Sequence, residues 1–139
     1  MHLSRLLLIG FCLVLAGCDP PVGLSGVWTG STSAQVGGFS FNLTLTESEQ
    51  GVVAGAGRFI NPNSLTSPFS AVNVTGAHAH PAVNLHILFS GNTVPTSFSG
   101  TLDRTLTVMR GALFGSGFTG DSIRLVRNTP AISGRITAP

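Results

Sequence analysis

The histidines are the side chains whose type and spacing most resemble a chemical site. His78 and His80 are separated by one residue, so their imidazoles point the same way on an extended chain, and His86 follows. Neutral imidazole nitrogens bind Zn²⁺ or Cu²⁺. However, a turn at Pro81 would pair His86 with a residue near Val74, away from the other two, and no Cys or acid lies nearby. We therefore expect these histidines to lie in loops, and we expect no metal or other cofactor. If a metal did bind, His78 and His80 would be its candidate ligands.

A glycine-rich segment at residues 115–120 matches the G-x-G-x-x-G pattern of phosphate-binding loops. That use requires a helix N-terminus directly after the last glycine. The residues that follow, Asp-Ser-Ile-Arg-Leu-Val, are typical of a strand. The segment is therefore predicted to be a hairpin and not a nucleotide site.

Side chains for catalysis are sparse. Glu47 and Glu49 precede Gln-Gly in a predicted turn, where a solvated carboxylate is expected, and Asp103 lies in another turn. The sequence contains neither a G-x-S-x-G elbow nor an H-E-x-x-H motif. The predicted loops are too short to build a catalytic site on the scaffold. We therefore expect that the protein is not an enzyme.

Composition excludes other classes. The chain has 139 residues, too few for two ordinary domains, and 42% of them are apolar, which argues against disorder. Only 9% are charged, and all seven basic residues are scattered arginines, which disfavours nucleic-acid binding.

Short alternating segments bounded by Gly, Pro, Asn or Asp recur along the chain and predict strands. The clearest places Phe39, Phe41, Leu43 and Leu45 on one face. The predicted strands cover residues 26–33, 39–46, 52–60, 69–77, 83–90, 96–102, 106–114 and 122–127. Short connections favour antiparallel hairpins, and eight such strands most simply close into an up-and-down barrel, with a two-sheet β-sandwich as the alternative.

Two features of this barrel remain open or irregular. Leu106 and Val108 have one parity and Leu113 has the opposite one, so a β-bulge at Gly111 would place all three on the inward face. Arg110 would then point outward. The interior would be filled by five phenylalanines or left partly hollow by four inward glycines, and we slightly favour filling. The phenylalanines are Phe39, Phe41, Phe59, Phe89 and Phe98, and the glycines are Gly55, Gly57, Gly76 and Gly100.

The N-terminus has the features of an export signal: a short basic start, an apolar run of about ten residues and a small-residue site. Leu15-Ala16-Gly17-Cys18 resembles the lipobox of bacterial lipoproteins. The resemblance implies cleavage between Gly17 and Cys18, a diacylglycerol on the Cys18 sulfur and often an acylated amine. Removing residues 1–17 would leave 122 residues with a single Cys, which allows no intrachain disulfide.

These observations predict four parts: a signal peptide (1–17), a lipidated tether (18–25), a barrel domain (26–128) and a C-terminal tail (129–139). The tether is too short to place the barrel far from a membrane surface. The expected location is the bacterial envelope, at the periplasmic face of the inner or outer membrane or at the cell surface.

Gly26-Val27-Trp28 holds the only Trp, and Arg127 shares the inward parity of Ile123 and Leu125 in the last strand. This arrangement resembles the calycins, the lipocalin and avidin-like families. In those barrels a G-x-W opens the first strand, and an Arg from the last strand packs over the Trp. The resemblance implies that Trp28 and Arg127 are structural residues that plug one end of the barrel.

The function expected from the sequence is that of a non-catalytic envelope lipoprotein, a membrane-tethered barrel that binds a small apolar ligand or another partner. The alternative is a protein-interaction or inhibitor module that uses its loops. For that alternative, the connection at residues 61–68, with Leu65 at its centre, is the best contact surface.

Overall fold

The computed structural model describes residues 23–128, which form a closed barrel of eight antiparallel strands in up-and-down order. The predicted barrel is confirmed, and the β-sandwich is excluded. The proposed signal peptide, Cys18 and the tail at 129–139 lie outside the described residues. The strands are β1 (Gly26–Thr32), β2 (Ser40–Glu47), β3 (Val52–Ile60), β4 (Phe69–Ala79), β5 (Ala82–Phe89), β6 (Thr96–Leu102), β7 (Val108–Gly115) and β8 (Phe118–Asn128).

The barrel closes because β8 pairs with β1, with Trp28 opposite Arg127 and Thr32 opposite Ile123. We call the end where β1 begins the closed end and the end where β1 finishes the open end. The connections at 48–51, 80–81 and 103–107 lie at the closed end. Those at 33–39, 61–68, 90–95 and 116–117 lie at the open end. Within residues 23–128, no helix is long and apolar enough to cross a membrane.

Strand alternation builds the core, because every second side chain points into the barrel. Trp28, Phe41, Leu43 and Met109 are among the inward residues that are almost completely buried. Outward positions carry mainly Ser, Thr, Asn, Arg and Ala. The core therefore lies inside a single closed sheet, with polar side chains around its wall.

The inward glycines do not leave empty space, which agrees with the filled interior favoured from the sequence and not with the hollow alternative. A Cβ atom at Gly55 would lie 2.8 Å from Leu45 Cδ2, and one at Gly100 would lie 2.8 Å from Phe98 Cζ. The side chains of Leu45, Leu85 and Phe98 lie over Gly55, Gly76 and Gly100, whereas the β2 backbone lies over Gly57. Small barrels often alternate small and large residues in this way. The barrel interior at these positions is filled.

The predicted bulge at Gly111 is wrong. Gly111 continues the inward set between Met109 and Leu113, and the irregularity in the β7–β8 pairing lies between Leu113 and Phe114. The prediction counted Leu106 as a strand residue, whereas Leu106 has a φ of 58° and lies in the turn before β7. From that turn its side chain packs against the core.

The glycine-rich segment is a hairpin, as predicted, but its turn is shorter than the gap between the predicted strands at 106–114 and 122–127. β7 ends at Gly115 and β8 begins at Phe118. Ser116 and Gly117 connect them with φ values of 52° and 95°. Two successive positive φ angles match the twist of the paired strands, which is why such two-residue turns join hairpins. No helix follows the glycines, so the segment lacks the geometry of a phosphate-binding loop.

Candidate functional site

A cavity of about 360 Å³ opens at the open end of the barrel. It has the size of a small-molecule site. We call it the mouth cavity. Its lining residues are Val36, Phe39, Phe59, Asn61, Ser70, Phe89, Ser90, Asn92, Ser116, Gly117, Phe118 and Asp121.

Four phenylalanines form one contiguous aromatic cluster in the lining of the mouth cavity. The rings of Phe59 and Phe89 lie 4.9 Å apart in an edge-to-face arrangement. Phe39 lies 5.5 Å from Phe59 and 5.7 Å from Phe118. Such contacts contribute about 0.5–1.5 kcal/mol each beyond burial, so the rings hold one another in place. Phe89 and Phe118 are buried and Phe39 and Phe59 are half-buried, so the cluster presents partly covered rings to the cavity.

The positions of these rings follow from strand parity. Phe59 and Phe89 occupy the last inward positions of β3 and β5, and Phe118 begins β8. All three positions are at the open end because consecutive strands alternate in direction. Sequence parity identifies the inward phenylalanines of β2, β3, β5 and β6, but not Phe118, because the last predicted strand begins at residue 122.

Apart from Val36 and Gly117, the rest of the mouth lining is polar and almost uncharged. It includes the hydroxyl groups of Ser70 and Ser90 and the amides of Asn61 and Asn92. Asp121 is the only ionisable residue in this lining among the residues described. Its Oδ2 accepts a hydrogen bond from the Thr119 N–H at 3.0 Å. A ligand in the mouth cavity would therefore meet aromatic rings and several hydrogen-bonding groups.

Four exposed apolar side chains lie at the open end. Leu65 in the 61–68 connection is fully exposed, and Val94 in the 90–95 connection is 66% exposed. Phe69 and Phe114, on the strands beside these connections, are 59% and 49% exposed. Asn63 links the 61–68 connection to the neighbouring one, since its Nδ2 donates to the Gly37 carbonyl at 2.9 Å. We call these four exposed side chains the apolar rim, and the predicted contact loop contributes Leu65 to it.

At the closed end, the Arg127 guanidinium carbon lies 4.7 Å from the centre of the Trp28 ring. Arg127 also donates to the carbonyls of Gly23 and Ser25, and Trp28 Nε1 donates to the Leu24 carbonyl at 2.8 Å. Burial lowers the pKa of Arg127, and the charge of nearby Glu47 opposes that shift. We call residues 23–25 the N-terminal latch, because Leu24 is completely buried at this end.

Glu47 is not a solvated turn residue, so that expectation is wrong. It ends β2 at the next inward position after Leu45, and its side chain is only 12% exposed. Its carboxylate lies 2.9 Å from His78 Nδ1 and accepts a hydrogen bond from the Leu24 N–H. The inward parity of β2, extended by one step, would have identified it.

The three histidines between residues 23 and 128 lie in different environments. His78 belongs to β4 and its side chain is 7% exposed, so the expectation of a loop residue is wrong. His80 lies in the β4–β5 turn and is exposed, with its ring 5.7 Å from that of His78. His86 pairs with Thr75 on the outer wall. Across residues 23–128, no three His, Cys, Asp or Glu side chains are grouped to hold a metal ion.

The two ends of the barrel therefore offer different chemistry. At the closed end, Glu47 and Arg127 are occupied by backbone groups of the N-terminal latch, so these side chains hold the chain in place. The mouth cavity is the concave site at the open end, and its aromatic lining distinguishes it from the cavity beside Glu47 and His78 at the closed end. Comparisons of the chain with protein-family models, curated proteins and solved structures find no match.

Proposed function

We propose that this protein is a non-catalytic, membrane-tethered binding module of the bacterial envelope that takes a small, partly apolar ligand at the open end of its barrel. The observation that carries the proposal is the mouth cavity with its aromatic cluster. Ligand sites are typically concave and largely apolar, with a few polar groups that orient the ligand. The filled interior limits the ligand to the mouth.

The tether is proposed from the lipobox resemblance at Leu15-Ala16-Gly17-Cys18. If Cys18 carries a lipid, its Cα lies at most about 18 Å from that of Gly23 on a fully extended chain. The N-terminal latch is bound to the closed end by Arg127 and Trp28. The closed end would then lie next to the membrane, and the mouth cavity would face away from it.

The alternative function is a protein-interaction or inhibitor module, and the apolar rim favours it as the second candidate. Leu65, Phe69, Val94 and Phe114 are exposed at the same end of the barrel. Apolar side chains exposed together are common in contact surfaces for other proteins. In this alternative the aromatic cluster would receive a side chain of the partner.

Mass spectrometry of the protein purified from bacterial membranes tests the tether. The expected product begins at Cys18 and carries a diacylglycerol. Cys18→Ala should remain unprocessed and carry no diacylglycerol. A mature N-terminus elsewhere, or an unmodified Cys18, would overturn the membrane-tethered part of the proposal.

Nuclear magnetic resonance titration tests the binding site. The mature chain with Cys18→Ser, which leaves every described residue unchanged, is titrated with the neutral aromatic probe 2-phenylethanol. Saturable shift changes should map to the mouth cavity. Ser70→Trp should fill the cavity and abolish them, whereas Ala71→Trp, at the neighbouring outward position, should not. Changes elsewhere only, or none at millimolar probe, would contradict the proposed site.

A further inference from the structure

We propose that the mouth cavity selects organic cations: amines or other ammonium compounds with an aromatic or short aliphatic body, in preference to neutral or anionic compounds of the same shape. This inference rests on the proposed binding function and names its ligand class. It joins two features of the cavity, the aromatic cluster and the carboxylate of Asp121.

The aromatic cluster accounts for the apolar body of the ligand. Phe59 makes ring contacts with Phe39, Phe89 and Phe118, so the four rings line one continuous part of the cavity. A volume of about 360 Å³ accommodates a single ring with a short chain. The negative faces of aromatic rings also attract organic cations within about 6 Å.

Asp121 accounts for the charge preference. No Arg or His lines the mouth cavity in the described part of the chain, so a charged ligand group there would meet only the Asp121 carboxylate in the lining. Nor does it form an ion pair with any other residue between 23 and 128. Its contact with the Thr119 N–H occupies Oδ2 and fixes the carboxylate at the cavity wall. An ammonium group of a ligand would there lie beside a negatively charged carboxylate, which favours its binding.

None of the arginines between residues 23 and 128 lines the mouth cavity. Arg104 and Arg127 belong to the closed end, and Arg58, Arg110 and Arg124 occupy outward positions on the wall. A carboxylate or phosphate in the mouth would lose hydration and meet Asp121 with no cation to compensate. Fatty acids and phosphate esters are therefore poor ligands for this cavity.

The test compares three probes that share one aromatic body: 2-phenylethylamine, 2-phenylethanol and phenylacetate. Each is titrated against the mature Cys18→Ser chain at neutral pH and low salt, by the same magnetic resonance measurement. The amine should bind about three- to tenfold more tightly than the alcohol, and phenylacetate more weakly than both. Added salt should reduce the advantage of the amine.

Asp121→Asn separates charge from shape, because the amide still has an oxygen to accept the Thr119 N–H. This variant should bind the amine and the alcohol with nearly equal affinity. Asp103→Asn, which removes an acid at the closed end, should keep the preference of the original chain. Phe59→Ala should weaken binding of both the amine and the alcohol.

The outcomes distinguish this inference from the proposed function. Equal binding of amine and alcohol at the mouth by the unaltered site would overturn charge selection while leaving the binding function intact. A preference for the amine that survives Asp121→Asn would also overturn it. Failure of all three probes to shift the mouth residues would contradict both proposals.

Discussion

The Nδ1 atom of His78 lies 2.9 Å from a carboxylate oxygen of Glu47, and both side chains face into the barrel at its closed end. The same carboxylate accepts the Leu24 N–H, so one buried acid joins β2, β4 and the N-terminal latch. The Nε2 atom of His78 is buried without a partner among the described residues. His78 therefore depends on Glu47 for its hydrogen bonding.

Glu47→Ala should destabilise the barrel by about 1–3 kcal/mol, because it leaves Leu24 N–H and His78 Nδ1 without their acceptor. Glu49→Ala, two residues away and exposed, should change the free energy of unfolding by less than about 0.5 kcal/mol. Chemical denaturation followed by the fluorescence of Trp28 measures both. Equal effects of the two substitutions would show that Glu47 does not hold the closed end together.

Arg127→Lys should loosen the closed end although it keeps the charge. Lysine lacks the planar fork with which Arg127 reaches the carbonyls of Gly23 and Ser25 while lying over Trp28. We expect a loss of about 0.5–2 kcal/mol and greater quenching of Trp28 fluorescence by acrylamide. Arg124→Lys, on the outer wall, is the matched control and should leave the quenching unchanged. Unaltered quenching in Arg127→Lys would contradict this role.

Gly100→Ala should destabilise the barrel even though alanine is small. The added Cβ would lie 2.8 Å from Phe98 Cζ and also close to the backbone of β7. Overpacking of this kind typically costs about 1–3 kcal/mol. Thr101→Ala, at the adjacent outward position, should have a much smaller effect. Thermal unfolding of the two variants measures this cost, and equal melting temperatures would contradict tight packing around Gly100.

Asp103→Asn should lower the melting temperature at neutral pH but not in strong acid. Hydrogen bonds from Thr105, Val108 and Thr107 lower the pKa of Asp103 from 3.8 to about 2. A folded-state pKa below the unfolded one stabilises the fold above pH 3.8, and this contribution is lost as pH falls through 2. The melting temperatures of the two proteins should therefore converge between pH 4 and pH 2. A constant difference across that range would exclude this carboxylate as the cause.

The positions of the strands were predictable because the alternation of apolar and polar residues is a local pattern. The run from Phe41 to Leu45 reveals an inward face within a few residues, and the short connections imply antiparallel neighbours. Alternation was less informative at the ends of strands, where inward residues can be polar. Glu47 has inward parity, but its polar character and the turn that follows it suggested solvent.

The site depends on contacts that no short segment contains. Phe39, Phe59 and Phe118 meet because β8 closes on β1 and brings together residues far apart in the chain. Glu47 and His78 are buried because the N-terminal latch covers the closed end. Alternation with a period of two fixes which way each side chain faces. Which side chains meet depends on the register and closure of eight strands, which are long-range properties.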